Sequence, residues 1–130
     1  MNFEDFIKKS NLLAVVGASR DAEKYGYKIY HAIRREGFVV YPVNPNTTEI
    51  EGETCYPTIA ALPKKPDVVV SVVPPVVTEQ LVRQARQLGI THVWMQPGSE
   101  DDAAISYCEE NHIAVVAKLC FVVDGLKKPL

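Results

Sequence analysis

The stretch AVVGASRDAEKYG near the N-terminus contains residue types that bind a phosphate group. Gly17 allows a sharp backbone turn, Ala18 is small enough for close approach of a ligand, and Ser19 supplies a hydroxyl. Where such a turn leads into a helix, free N–H groups and the helix dipole favour an anion. Arg20 and Lys24 add positive charge. We predict a pyrophosphate site here, against the alternative of a plain strand-to-helix turn.

The glycine spacing of this loop differs from that of the dinucleotide-binding pattern. Further glycines belong two and five positions after the first, where this chain has Ser19 and Ala22, and the next glycine is Gly26. NAD-binding folds also have an Asp or Glu about 20 residues after this motif, which holds the ribose of NAD. This chain has no such acid, because no Asp or Glu lies between Glu36 and Glu49. No arginine follows the second apolar run to meet an NADP phosphate. An NAD(P)-binding redox protein or sensor is therefore an alternative with little support.

Three more loops with small, turn-forming or amide residues follow apolar runs: NPN at 44–46, VPP at 73–75 and QPG at 96–98. Parallel strands end at one edge of a sheet, and ligands bind there. The four loops together predict one continuous groove. Each loop alone is also compatible with a turn, since Asn-Pro favours turns and Pro75 suits the first turn of a helix.

The elements that must position these loops alternate between strand and helix. Near-continuous apolar runs predict buried parallel strands at 12–17, 38–43, 67–74, 92–96 and 113–118. Helical spacing predicts helices over 27–36, 76–88 and 99–111, stopped by Gly37 and Gly89 in the first two and capped by Ser99 in the third. A short helix is expected at 3–9, and the irregular segment 44–63 is expected to hold a strand or bend at 55–57 and a helical turn at 58–62. The fold class is an α/β doubly wound sheet of about five parallel strands flanked by helices, as a single domain over 1–130 with its nucleotide-binding core at 12–120.

Composition is that of an ordinary soluble domain and indicates neither a nucleic-acid nor a membrane partner. Hydrophobic residues make up 47%, charged residues 23%, and the net charge is −2. Three widely spaced cysteines, Cys55, Cys108 and Cys120, and an N-terminus without an apolar signal core lead us to expect reduced thiols in a cytoplasmic protein.

Residues capable of catalysis are scattered. His31, His92 and His112 share no motif, and no His-x-x-x-His, Cys-x-x-Cys or Ser-His-Asp arrangement is present, so we expect neither a metal site nor catalytic residues. Cys120, with Lys118 two residues before it, leaves a thiol redox protein as another alternative. A small buried apolar residue is the simpler interpretation of Cys120.

The ordered motifs together resemble a known family. They are VGAS (16–19), VYPVNP (40–45), IEGETCYPTIAALP (50–63), VPP (73–75), VWMQPG (93–98) and VAKLC (116–120). In this order they resemble the small CoA-binding proteins that share a domain with the α subunit of succinyl-CoA ligases. The resemblance implies a Rossmann-like domain that binds CoA or an acyl-CoA. Those ligases react through a second domain with a phosphorylated histidine, which these 130 residues do not include, so we expect a binding module without catalysis.

The resemblance also implies a role for each loop. Phosphates would contact Gly17, Ala18 and Ser19; adenosine would border Asn44 and Pro45; the middle of the ligand would lie on Val73 and Pro74; and pantetheine would approach Gln96, Pro97 and Gly98. Neutralising cations are expected from Arg20, Lys24 and Lys28, with Arg34 and Arg35 as weaker candidates. The chain departs from the family at Leu119, where a basic residue is expected before the cysteine. The protein partner is unknown.

Overall fold

A computed structural model describes residues 3–130 and contains a central five-stranded parallel sheet. Its strands are β1 (Leu12–Val16), β2 (Val39–Val43), β5 (Val68–Ser71), β6 (His92–Met95) and β7 (Ala114–Ala117). Their spatial order is β2-β1-β5-β6-β7, and every neighbouring pair is parallel. The winding therefore reverses between β1 and β5, which opens a crevice at the carboxyl ends of these two strands.

Helices cover both faces of the sheet. α1 (Glu4–Ile7), α2 (Tyr25–Arg35) and a C-terminal π-helical segment (Phe121–Gly125) contribute to the apolar core on one face, while α3 (Pro75–Gln87) and α4 (Asp102–Glu110) contribute to the core on the other. Strand side chains alternate between the two cores, because successive residues of a strand point to opposite faces. The predicted doubly wound α/β sheet of five parallel strands flanked by helices is confirmed.

Two sequence-based boundaries were wrong by three residues, while the others differ from the structure by one or two. Ser99 does not cap α4; Asp101 does, by accepting a hydrogen bond from the N–H of Ala104 at 2.9 Å, and Ser99 is buried two residues earlier. The third apolar run stops being a strand at Ser71 rather than at residue 74, because two prolines follow and the second, Pro75, is the first residue of α3.

The irregular segment after β2 contains a short hairpin, β3 (Glu49–Ile50) and β4 (Glu53–Thr54), and a 3₁₀ turn at Ile59–Ala61, which matches the helical turn expected there. Tyr56 forms an isolated parallel bridge with Val43, which agrees with the strand or bend expected at 55–57. The hairpin is a separate two-stranded sheet, and the segment that follows it pairs with the end of β2.

A cluster of side chains fastens this hairpin to α2. Glu51 lies 2.7 Å from Nδ1 of His31 and accepts from Nη1 of Arg34 at 3.2 Å, while Nη2 of Arg34 donates to Glu53 at 3.2 Å. Tyr27 stacks on His31 with ring centroids 5.5 Å apart and also hydrogen-bonds Glu51. Burial alone would raise the pKa of Glu51, but the hydrogen bonds and charges of these partners outweigh it and hold the pKa below its ordinary value.

Replacing this carboxylate should remove an acid-sensitive part of the stability. Because the pKa of Glu51 is lower in the folded chain, its carboxylate stabilises the fold above the unfolded pKa, and that contribution is lost as pH falls through the folded pKa. Glu51→Gln should cost about 1 kcal/mol at pH 7 and nothing in strong acid. Urea denaturation between pH 7 and pH 3 measures the difference. Glu23→Gln, at an exposed position, is the control, and equal deficits for Glu51→Gln at every pH would contradict the assignment.

Candidate functional site

A large groove runs along the carboxyl edge of the sheet. It has a volume of about 1240 Å³ and is lined by the segments that follow β1, β2, β5 and β6, together with the 3₁₀ turn and one face of α3. Its volume exceeds the roughly 300–1,000 Å³ of typical small-molecule pockets. The carboxyl-edge groove therefore suits an extended ligand.

Two glycines bring α2 directly against the end of β1. Gly17 has a φ of +100°, and a Cβ there would lie 2.5 Å from the carbonyl oxygen of Val72. Gly26, in the first turn of α2, lies so close to Gly17 that a Cβ on it would stand 1.9 Å from the Gly17 carbonyl oxygen. Any larger residue at position 26 would push the helix away. Gly26 thus supplies the close helix–strand packing that the last glycine of the dinucleotide pattern supplies elsewhere.

The N-terminus of α2 is open toward this groove. Lys24 precedes the helix, and no side chain caps the helix there. The preceding loop is ordered by its own side chains, because Ser19 Oγ accepts from the N–H of Asp21 and Asp21 Oδ1 accepts from the N–H of Glu23, each at 3.0 Å. Ser19 acts there as an acceptor, so its own O–H is available to a ligand.

Asn44 joins the first loop to the second. Its Nδ2 donates to the carbonyl of Ala18 at 2.7 Å, and its Oδ1 accepts from the N–H of Asn46 at 2.8 Å. Its backbone N–H donates to the carbonyl of Tyr56 at 2.9 Å. Both ends of the side-chain amide are occupied, so Asn44 acts here as a structural residue that keeps the loops adjacent.

Three buried hydroxyls join the third loop to the fourth. Ser71 at the end of β5, Thr78 in α3 and Ser99 after β6 lie 2.6–2.9 Å from one another, and each is at most 2% exposed. Each hydroxyl can donate once around the ring, so the three satisfy one another without a charge. The ring holds the start of α3 against the loop that follows β6.

Gln96 is fully buried and lies beneath the groove rather than in its wall. Its Oε1 accepts from the N–H of Phe121 at 2.6 Å, and its Nε2 donates to the hydroxyl of Tyr25 at 2.7 Å and contacts Cys120 Sγ at 3.4 Å. Burial, followed by the hydrogen bond to Cys120, raises the pKa of Tyr25 to about 12. Tyr25 lines the groove, so this network fixes one groove residue from behind.

The charged side chains that line the groove are cationic. Among residues 3–130, no Asp or Glu side chain lines it, whereas Lys24 and Arg83 do. Lys24 takes part in no ion pair within this described part of the chain. The nearby Glu100 is engaged with the N–H of Gly98 at 3.0 Å and does not line the groove. In a chain with a net charge of −2, this distribution favours an anionic ligand.

The structure brings most of the residues predicted from the sequence together. Nine of them line the carboxyl-edge groove: Gly17, Ser19, Lys24, Asn44, Pro45, Val73, Pro74, Pro97 and Gly98. Three do not: Ala18 is buried, Arg20 is exposed outside the lining, and Gln96 is buried beneath it. The weaker cationic candidates Arg34 and Arg35 lie outside it as well.

Sequence reasoning missed Tyr25, Gly26 and the polar face of α3. Gly26 carried a signal, because it is the next glycine after Gly17 and the last glycine of the dinucleotide pattern packs a helix closely on a strand. The α3 face had a weaker signal, a row of Gln80, Arg83 and Gln84 at helical spacing.

Other features that could indicate function are sparse in the part of the chain that the structure describes. Within residues 3–130, no three His, Cys, Asp or Glu side chains are grouped as metal ligands, and no helix has the length and apolar character to cross a bilayer. Cys55, Cys108 and Cys120 are free thiols, all buried.

Comparison with known proteins gives consistent matches. The CoA binding domain family matches residues 11–125. The α subunit of an ADP-forming acetate–CoA ligase II from Pyrococcus furiosus is 30% identical over 90 residues, which are 68% of this chain and 20% of that protein. An ADP-forming acetate–CoA ligase from Methanocaldococcus jannaschii is 27% identical over 113 residues, 87% of this chain and 16% of that protein. This chain thus spans a fifth or less of these curated relatives.

Solved structures include relatives of similar size. A conserved hypothetical protein from Pyrococcus furiosus is 39% identical, with a TM-score of 0.84, and the match covers 88% of this chain and 98% of that chain. A dinucleotide-forming acetyl-coenzyme A synthetase from Candidatus Korarchaeum cryptofilum is 27% identical, with a TM-score of 0.73, over 88% of this chain and 27% of that chain.

The contact between Gly17 and Gly26 can be tested by Gly26→Ala. Alanine in a helix is normally favoured over glycine by up to about 1 kcal/mol, but here its Cβ would overlap backbone. We expect a net loss of about 1–2 kcal/mol, measured by urea denaturation. Ser106→Ala, at an exposed position in α4, is the control and should change stability by no more than about 0.5 kcal/mol. A stabilised Gly26→Ala variant would refute the close contact.

Proposed function

Because this chain belongs to the CoA binding domain family, we propose that its carboxyl-edge groove binds coenzyme A or an acyl-CoA without catalysing a reaction. The observation that carries the proposal is the electrostatics of this groove. The uncapped N-terminus of α2 and the unpaired Lys24 meet there, and no carboxylate among residues 3–130 lines the groove.

The diphosphate of the ligand would lie at the start of α2. Backbone N–H groups at the helix N-terminus attract anions, and Gly17 has no side chain to keep a phosphate away from the backbone. The Ser19 hydroxyl would donate to a phosphate oxygen, and Lys24 would neutralise part of the charge. Asp21, in the same loop, lies outside the groove lining, and its Oδ1 accepts from the N–H of Glu23.

The rest of the ligand would follow the other loops. Asn44 and Pro45 would border the adenosine, and the apolar surface of Val73, Pro74 and Val77 would contact the middle of the pantetheine. Pro97 and Gly98 complete the groove on the side of β6. A role for Gln96 toward pantetheine would be indirect, through its hydrogen bond to Tyr25.

A binding role without catalysis fits a groove lining that includes no histidine or cysteine among residues 3–130. His31, His92 and His112 do not line it, and Cys120, 7% exposed, lies behind Tyr25 and Gln96. The acetate–CoA ligases that this chain resembles are several times longer, so their reaction is not carried over to it. The missing carboxylate at the end of β2 also argues against NAD, whose ribose usually hydrogen-bonds to an acid there.

Calorimetric titration with CoA, 3′-dephospho-CoA, NAD and NADP tests the proposal directly. We expect CoA to bind more tightly than NAD or NADP, and binding to weaken as salt rises, because the attraction is ionic. Preference for NAD would overturn the proposal. Intact mass of the protein with and without reductant tests the thiol alternative, since a covalent CoA on Cys120 would add its mass and non-covalent binding would not.

Substitutions in the first loop test the diphosphate position. Ser19→Glu should abolish CoA binding, because it sets a carboxylate against a phosphate. Lys24→Gln should weaken CoA binding by about tenfold, the effect of one charge-assisted hydrogen bond. Lys64→Gln is the control, since Lys64 is exposed and does not line the groove. Unchanged affinity in Ser19→Glu would place the diphosphate elsewhere.

A further inference from the structure

One wall of the carboxyl-edge groove is a polar face of α3, to which the proposed function assigns no contact with the ligand. Arg83 lines the groove together with Gln80, Gln84 and Gln87. The spacing of three, four and seven residues places all four on one side of the helix. The single acid of α3, Glu79, does not line the groove. The wall therefore presents one cation and three neutral amides.

The guanidinium of Arg83 contacts one aromatic ring and one carboxylate. Its central carbon lies 4.6 Å from the centroid of the Tyr107 ring, which supports it by a cation–π contact. Glu79 reaches one nitrogen, Nη2, at 3.5 Å in an exposed ion pair. A guanidinium has five N–H donors, and the ion pair with Glu79 engages only one of its nitrogens.

This wall belongs to a different element from the first loop. Arg83 is eight residues beyond Pro75, where α3 begins, and therefore about 12 Å further along the helix axis. Lys24 and the N-terminus of α2 lie on the other side of the winding reversal between β1 and β5. Because the two cations lie on different elements that flank this reversal, they could bind two separated anionic groups of one long ligand.

We infer that Arg83, flanked by Gln80, Gln84 and Gln87, forms a second oxyanion subsite for a phosphate monoester or carboxylate that the ligand carries at a distance from its diphosphate. The inference rests on the proposed binding of CoA in this groove. Two parts of such a ligand have this chemistry: the 3′-phosphate of its ribose and a free carboxylate at the end of an acyl chain. Guanidinium groups bind both in a bidentate manner, and the glutamine amides add neutral donors.

The test compares four ligands on three proteins by calorimetry. The ligands are CoA, 3′-dephospho-CoA, acetyl-CoA and succinyl-CoA, and the proteins are wild type, Arg83→Gln and Arg86→Gln. Arg86 is the matched control because it is exposed on the same helix and does not line the groove. Thermal unfolding of each variant checks that the fold is retained.

The ribose 3′-phosphate and an acyl carboxylate predict different titration results. If the 3′-phosphate binds Arg83, Arg83→Gln weakens CoA, acetyl-CoA and succinyl-CoA by about tenfold and leaves 3′-dephospho-CoA unchanged. If an acyl carboxylate binds there, wild type prefers succinyl-CoA to acetyl-CoA. Arg83→Gln then removes this preference and leaves the affinities for CoA, acetyl-CoA and 3′-dephospho-CoA unchanged. Arg86→Gln should match wild type in both cases.

The remaining outcomes overturn the inference. An equal effect of Arg83→Gln on all four ligands, no effect on any, or the same effect from Arg86→Gln would exclude a specific subsite. If wild type binds CoA and Ser19→Glu abolishes that binding while Arg83→Gln changes nothing, the proposed function stands and only the subsite falls. If wild type binds none of the four ligands, both fall.

Discussion

The geometry of the carboxyl-edge groove depends on the backbone contact between Gly17 and Gly26. A helix that follows a strand normally stands off by the thickness of its side chains, but here the first turn of α2 touches the end of β1 with no Cβ between them. The contact directs the free N–H groups of α2 at the crevice between β1 and β5. Without it the same loop would be an ordinary surface turn.

Neutral side chains hold the remaining loops at this edge. Asn44 connects the first two loops, the hydroxyls of Ser71, Thr78 and Ser99 connect the last two, and Gln96 supports Tyr25 from below. Because none of these residues is charged, they shape the groove without opposing an anion. The potential of the groove is left to Lys24 and Arg83, which are both exposed and are therefore screened by salt.

Much of the fold follows from local pattern. The apolar runs ending near Val16 and Met95 are buried strands, since the inner strands of a parallel sheet covered on both faces need apolar residues at nearly every position. The run ending at Val43 is an edge strand and is only partly buried, which differs from the buried strand expected there. Gly37 and Gly89 end their helices with positive φ, as expected of glycine. The misplaced cap of α4 has a different origin. Ser99 and Asp101 are both good caps, and only the burial of Ser99 beside Ser71 decides between them.

By itself, the sequence determined the alternation of strands and helices, the edge at which the loops gather and the absence of an acid beyond β2, because these depend on residue type and short-range spacing. Only the tertiary structure decided that Gly26 packs on Gly17, that Gln96 lies beneath the groove and that Arg83 lines it. These features join residues that are far apart in the chain or depend on the rotation of a helix about its axis. Hydrophobic periodicity constrains the buried face of a helix, but contacts across the sheet decide which of its polar residues meet a ligand.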